Sequence, residues 1–159
     1  MKIEATPHGL ARAHEDQRNF RLLLEAVAYP GRIVTFPEPG RPFAQRRTAH
    51  VIVLETLADM STPVWIDGDF PEARSVARDS RWPVGAMESC VFALCRGDRL
   101  SSLDRFSQGT QLDPHLSTTA IVEMTGLFGG DPLRLAGPGV APDGQIFAPR
   151  SLPEDFQQA

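Results

Sequence analysis

Residues 49–66 read AHVIVLETLADMSTPVWI and hold two hydrophobic patterns in direct succession. Apolar residues at helical spacing predict a helix over Ala49–Asp59, with Thr48 in position to cap it. Taken alone, the run Val51–Leu54 is also compatible with a strand. The segment Pro63–Ile66 is rich in β-branched and aromatic residues and is predicted to be a short strand.

The same alternation extends outward in both directions. Towards the N-terminus we predict an amphipathic helix over Glu15–Ala28 whose apolar positions 20, 23, 24 and 27 face a core. The other predicted elements are the strands Arg32–Phe36, Cys90–Cys95, Thr118–Met124 and Leu133–Ala136, a polar helix Glu72–Arg78, and a short helix from Ser101 or Ser102 to Ser107. Helices that alternate with short strands indicate an α/β layered fold. We predict one α/β domain over residues 1–159, with residues 1–13 as a loose N-terminal arm.

The composition excludes several classes of protein. Sixteen basic against twenty acidic residues give a formal net charge of −4, so no basic excess is available to neutralise nucleic-acid phosphates. The longest apolar run, Cys90–Cys95, is far shorter than the roughly 18 residues of a membrane span. The N-terminus, Met1–Glu4, lacks the apolar core of a signal peptide. We therefore predict a cytoplasmic protein with no nucleic-acid or membrane partner.

Lysine usage excludes two kinds of chemistry. Lys2 is the only lysine, and all other basic residues are arginine. A phosphate-binding P-loop needs a Gly-Lys pair, and none is present. A pyridoxal-phosphate enzyme needs a lysine for its Schiff base, and Lys2 lies at the terminus. We therefore predict no lysine Schiff base and no P-loop. No other cofactor motif is recognised, and no cofactor is predicted.

Neither metal ligation nor a disulfide is predicted. The four histidines are scattered, without metal-ligand spacing. If Cys90 and Cys95 share a strand, their five-residue offset places them on opposite faces, about 16 Å apart. That separation is too large for a disulfide, so both thiols are predicted to be buried and reduced.

Two arginine-containing segments are candidates for binding an anion. Arg134 lies on a predicted strand that leads into a turn with Gly137 and Gly139, where a backbone can approach a phosphate closely. Arg46 and Arg47 precede a predicted helix N-terminus. A simple tight turn and a solvated basic turn are the more common explanations of these two segments. No catalytic residue is recognised.

Several segments, in this order and spacing, resemble the H subunit of the bacterial carbon–phosphorus lyase core complex. No single motif is specific, but the ordered set is, and it extends from about residue 14 to residue 153. The segments are Phe20–Gly31, Val53–Asp59, Thr62–Trp65, Gly109–Thr110 with Pro114, and Leu133–Val140.

The resemblance implies a fold and a role. The fold would be a three-layer α/β/α sandwich with a mixed central sheet, similar to pyridoxal-phosphate transferases but without the cofactor. The role would be that of an accessory subunit in phosphonate catabolism, with the G, I and J subunits as partners and a homodimer in isolation. The I subunit of that system is implied to exchange the adenine of ATP for an alkylphosphonate, which gives ribose 1-alkylphosphonate 5-triphosphate.

The sequence also departs from the family pattern. Pro114–Thr119 stands where the family has Pro-Glu followed by Gly-Ala-Thr, and the closing strand that the family carries beyond the position of Phe156 is absent. The missing strand would leave an open sheet edge, for a partner or a second copy to cover. Two alternatives to the accessory role are a stand-alone binding protein for a phosphonate or nucleotide and a decayed homologue that has lost its partners.

Overall fold

Three short strands form a parallel sheet in the computed structural model, which describes residues 7–37, 47–100, 102–137, 140 and 145–152. They are β1 (Val64–Ile66), β2 (Phe92–Arg96) and β3 (Thr119–Glu123), and they lie side by side in chain order. The register places Ile66 of β1 beside Leu94 of β2 and Ile121 of β3. The three strands predicted in these regions are therefore confirmed, with ends that shift by one or two residues.

Helices cover one face of this sheet. Helix α2 (Ala49–Leu57) and helix α3 (Pro71–Asp79) pack on that face, and α3 begins with Pro71 in its first turn. Fully buried side chains of α2 and of the central strand meet there, among them Leu54 and Leu94. The cluster on this face consists of Val51, Leu54, Val64, Ile66, Phe70, Ala73, Val76, Ala77, Trp82 and Leu94. The helix predicted over residues 49–59 is thus confirmed, with its end at Leu57, and the strand alternative for Val51–Leu54 is wrong.

The opposite face carries a second, smaller cluster. Side chains alternate along β2, so Ala93 and Cys95 point away from Leu94. They pack with Cys90, Leu100 and Phe106, which come from segments without regular α-helix. Among the described residues, this face is covered by 3₁₀ turns and loops.

An antiparallel ribbon follows the parallel sheet. Strands β4 (Leu133–Leu135) and β5 (Gln145–Phe147) pair with each other, so Arg134 lies opposite Ile146. Strand β4 was predicted and β5 was not. Between described strands, antiparallel pairing occurs only in this ribbon, and the three-stranded sheet is parallel throughout. The mixed central sheet is therefore not found in the described part of the chain.

The N-terminal helix differs from its prediction in length and in orientation. Helix α1 spans Pro7–Ala28, so residues 7–13 belong to it and do not form a loose arm. Three of its four predicted core positions are exposed, with 45% of Phe20, 53% of Leu24 and 78% of Val27 accessible to solvent, whereas Leu23 is half-buried. The polar face turns inward, where Asn19 is buried.

Helix α1 is oriented this way because the face of α2 that it packs against is largely polar. Because α2 turns Val51 and Leu54 toward the sheet, the side chains left for α1 are Ile52, Glu55 and Thr56. Two of these three are polar, and polar residues of α1 face them across a cleft.

Four further local predictions fail. Residues 32–36 form no strand, and residues 102–107 form turns in place of the predicted helix, with Ser101 outside the described residues. Thr48 occupies the cap position of α2, but its hydroxyl makes no capping hydrogen bond and donates to Glu72 Oε2 at 3.0 Å. Cys90 precedes β2, which is why it lies on the same face as Cys95.

Candidate functional site

Charged side chains collect at the carboxyl edge of the parallel sheet, the edge at which the three strands end. Ligands of open α/β sheets bind at this edge in general. Strand β2 ends at Arg96 and β3 ends at Glu123, and the two residues are neighbours in the register. Arg74 of α3 donates to the carbonyl oxygen of Ile66, the last residue of β1, at 2.6 Å. Parallel topology therefore brings charged groups from separate segments to one place.

Arginine–carboxylate ion pairs lie in the loops that follow β1 and β2 at this edge. Arg96 forms a bidentate pair with Asp98, with Nε–Oδ1 at 3.0 Å and Nη2–Oδ2 at 2.8 Å. This pairing raises the pKa of Arg96 and lowers that of Asp98. Arg99 Nη2 lies 2.7 Å from Asp69 Oδ2. An incoming anion would have to displace these carboxylates, because both guanidinium groups already bind one.

A pocket of about 70 Å³ opens beside these pairs. The pocket lies between the second hydrophobic cluster and the charged edge of the sheet. The lining residues are Trp65, Asp67, Met87, Cys95, Arg96, Arg99, Leu100, Ser102 and Arg105. Burial raises the pKa of Cys95 to about 11, and it also raises the pKa of Cys90. Both thiols are buried and free, as predicted, and neither is activated as a nucleophile.

His50 is at the centre of a polar network on the helical side of the edge. Its Nε2 lies 2.9 Å from Thr48 Oγ1, and that hydroxyl already donates to Glu72. The network therefore assigns the proton of a neutral His50 to Nε2, since the hydroxyl has only acceptor capacity left. The other nitrogen, Nδ1, faces Glu123 Oε1 at 3.7 Å. The ring also packs edge-on against Phe70, with 5.0 Å between ring centroids.

Burial dominates the protonation of His50. Desolvation lowers its pKa below the ordinary 6.5, while the carboxylates of Glu123 and Glu72 oppose that shift. The imidazole is therefore neutral near pH 7 and can donate through one nitrogen and accept through the other. The network joins the start of α2, the first turn of α3 and the end of β3.

A second cleft, of about 130 Å³, separates α1 from α2. Arg47 lies in its wall and faces two carboxylates, Glu55 and Glu72, each at 3.6 Å. Charges of both signs line it, from Arg12, Glu15, Asp16, Asn19, Arg47, Ile52, Glu55 and Thr56. The candidate anion residue Arg47 is thus already paired with carboxylates.

The remaining candidate anion residues lie elsewhere. Arg134 is on β4, and Gly137 follows that strand with a φ of +137° and open space where a Cβ would stand. The Val140 N–H donates to the Gly137 carbonyl at 3.2 Å. Arg46 and Gly139 lie outside the described residues. Arg134 and Arg47 therefore belong to two separate elements, the ribbon and the start of α2.

Sequence reasoning missed the charged residues at the carboxyl edge. His50, Arg96 and Glu123 lie far apart in the chain, and only the parallel topology brings them together. One signal was available, since Asp67 directly follows a predicted strand and Arg96 and Glu123 lie at or beside the predicted ends of two others.

The family was settled by comparison with known proteins. Residues 9–159 match the family model for the bacterial phosphonate metabolism protein PhnH. The chain belongs to the PhnH family. It is also 35% identical over 151 residues to the alpha-D-ribose 1-methylphosphonate 5-triphosphate synthase subunit PhnH of Rhizobium meliloti (strain 1021). That alignment covers 89% of this chain and 73% of the relative. The resemblance inferred from the ordered motifs is confirmed for this PhnH-family chain.

Two kinds of feature are not found in the described part of this PhnH-family chain. None of its helices is both long enough and apolar enough to cross a lipid bilayer. No group of three or more His, Cys, Asp or Glu side chains with metal-binding geometry occurs among the residues described.

Proposed function

We propose that this chain is an accessory, non-catalytic subunit of the enzyme system that forms ribose 1-methylphosphonate 5-triphosphate from ATP and methylphosphonate. The observation that carries the proposal is the 35% identity, over 89% of this chain, to a protein named as a subunit of that synthase. The protein would act in the cytoplasm, together with the G, I and J subunits of the carbon–phosphorus lyase system. A homodimer of the isolated chain belongs to the same proposal.

The chemistry of the carboxyl edge supports an accessory role. Arg96 and Arg99 are each bound to a carboxylate of the same chain. The Cys95 thiol is held protonated, with its pKa raised to about 11. None of these groups is poised for nucleophilic attack.

We extend the proposal to the whole architecture of the subunit. A three-layer α/β/α sandwich, similar to pyridoxal-phosphate transferases without the cofactor, would place further helices on the face now covered by Leu100 and Phe106. The helical layer formed by α2 and α3 on one face of a parallel sheet supports the idea. The anion site at Arg134, Gly137, Gly139, Arg46 and Arg47 stays a prediction.

Co-purification tests the assignment. An affinity-tagged form of this chain, co-expressed with the remaining subunits of the system, is expected to retain them through size-exclusion chromatography. A matched pair of variants provides the control. Leu112→Asp alters a side chain that is 91% exposed and is expected to retain the partners, whereas Leu94→Asp places a carboxylate in the fully buried core and is expected to lose them. Elution of the folded, tagged chain without any partner would contradict the proposal.

A further inference from the structure

Three exposed arginines follow one another along α3 and its C-terminal end. Arg74 and Arg78 lie one turn apart on the helix, and Arg81 follows the cap residue Ser80. The other side of the helix, which includes Val76, is buried in the core cluster on the sheet. From the first arginine to the last, the row is about 10 Å long at roughly 1.5 Å per residue. These three residues are called the α3 arginine row below.

No carboxylate of the described part of the chain pairs with the α3 arginine row. Five other described arginines each lie within 3.6 Å of a carboxylate oxygen, namely Arg32, Arg47, Arg96, Arg99 and Arg105. Asp79, the acidic residue in the last turn of α3, forms no ion pair with the row. Three positive charges therefore stand together on α3 with no neutralising carboxylate among the described residues.

Arg74 is held in place and keeps most of its hydrogen-bond donors. Its Nη2 donates to the carbonyl oxygen of Ile66 at 2.6 Å. A guanidinium group carries five N–H donors, so four remain for a second group. Because the side chain is already ordered, binding a carboxylate costs less side-chain entropy than ordering a free arginine would. Arg74 is therefore a pre-ordered binding group at one end of the row.

Arg81, at the other end, occupies a backbone position that favours glycine. Its φ is +58°, in the left-handed region. Its N–H donates to the Arg78 carbonyl at 3.2 Å, and the Trp82 N–H donates to the Ala77 carbonyl at 2.9 Å. These two bonds form a Schellman motif in which glycine normally stands at the position of Arg81. A cation near a helix C-terminus is favourable, but Arg78 already supplies one. A bulky residue that keeps this strained conformation indicates a functional constraint on its side chain.

We propose that the α3 arginine row binds a segment rich in Asp and Glu on another subunit of the synthase system, an inference that rests on the proposed function. Guanidinium groups bind carboxylates through two parallel hydrogen bonds, and arginine is enriched at protein interfaces. A nucleic acid is a poorer occupant, because the formal net charge of −4 leaves the rest of the chain with an excess of negative charge. A short acidic segment needs only the local row of cations.

Charge reversal at the end of the row tests the proposal. The purified chain is titrated with the purified remaining subunits, with and without prior nuclease treatment, and the Kd is measured. Arg78→Glu/Arg81→Glu is expected to raise the Kd at least about tenfold, because repulsion replaces attraction. Arg18→Glu/Arg21→Glu makes the same change in net charge at two exposed residues of α1 and is expected to keep the Kd within about threefold. Circular dichroism of each variant establishes that the fold is retained.

Salt provides a second readout of the same contact. Raising NaCl from about 0.05 to about 0.5 M is expected to weaken binding of the parent chain, because salt screens exposed charges. The double variant Arg78→Glu/Arg81→Glu is expected to lose most of this salt dependence.

Arg81→Gly separates binding from stability. Glycine relieves the strained backbone, so the Tm is expected to rise by about 1–3 °C. The Kd is expected to rise as well, about fivefold, because one guanidinium group is lost. A purely structural Arg81 would give the higher Tm without any change in the Kd.

Three results would overturn the proposal: an unchanged Kd for Arg78→Glu/Arg81→Glu, an equal loss of affinity in the α1 control, or loss of binding by the parent chain after nuclease treatment. The first two leave the proposed function intact, since the parent chain still binds the other subunits. The third would show that a nucleic acid occupies the row. A parent chain that binds none of the subunits under any condition would contradict the proposed function, and the docking contact with it.

Discussion

Among the glycines that the structure describes, Gly130 has the least room for a side chain. Its N–H donates to the Ala148 carbonyl at 3.0 Å, and a Cβ added to it would lie 1.9 Å from the carbonyl oxygen of Pro149. Because backbone atoms cannot rotate away as a flexible side chain can, Gly130→Ala must displace the Ala148–Arg150 segment. We expect a loss of about 1–3 kcal/mol in the free energy of unfolding, measured by urea titration.

Gly68 offers a matched control for this substitution. No atom lies within 4 Å of the position that its Cβ would take. Gly68→Ala is therefore expected to stay within about 0.5 kcal/mol of the parent chain. Equal effects of the two substitutions would show that the close packing at Gly130 is not what limits that position.

The two cysteines show what residue chemistry can and cannot predict. Their reduced and buried state followed from composition and from the apolar run around them, and the structure confirms it. The prediction of opposite faces was wrong, because it assumed that Cys90 belongs to the strand. Cys90 instead follows the short 3₁₀ turn Met87–Ser89, so it does not obey the two-residue alternation of β2.

At the scale of elements, the His50 network joins two helices and a strand and makes their packing dependent on pH. The pKa of His50 is lower in the folded chain than the ordinary 6.5, mainly because of burial. The unfolded chain therefore binds the proton more tightly. The contribution of neutral His50 to stability is complete above pH 6.5 and is lost as the pH falls through the folded pKa.

The variant His50→Gln isolates this effect. Between pH 7.5 and 5, in steps of about half a unit, we expect the free energy of unfolding of the parent chain to fall more steeply than that of His50→Gln. His115→Gln, at an exposed position in the turn Pro114–Leu116, is expected to keep the parent slope. A His50→Gln variant with the same slope as the parent would contradict the role assigned to the buried imidazole.

Element types were predictable where a periodic pattern coincided with burial. Helix α2 and strands β1, β2 and β3 were found from apolar periodicity, since each packs into the core through the face that the pattern indicates. Arg32–Phe36 has strand-like composition but pairs with no strand among the described residues. Helix α1 has a correct period and an inverted orientation, because the polar face of its neighbour α2 decides which side turns inward.

At the scale of the whole molecule, strand order is what the sequence could not supply. Parallel pairing in chain order brings Arg96 beside Glu123, and the fold of α2 against β3 adds His50. These residues carry no local motif, so no reading of one segment could group them. The candidates chosen from local motifs, Arg134 and Arg47, lie on separate elements for the same reason. The family, in contrast, was recognisable because its motifs are ordered along the chain and need no knowledge of the fold.

We propose that this PhnH-family chain is required for the synthase reaction as a subunit without catalytic activity of its own. The most direct measurement is the formation of ribose 1-methylphosphonate 5-triphosphate from ATP and methylphosphonate, followed by phosphorus NMR. Three mixtures are assayed: the purified remaining subunits with this chain, the remaining subunits without it, and this chain by itself. We predict product only when the chain and the other subunits are combined. Equal rates with and without the chain, or turnover by the chain alone, would contradict the account.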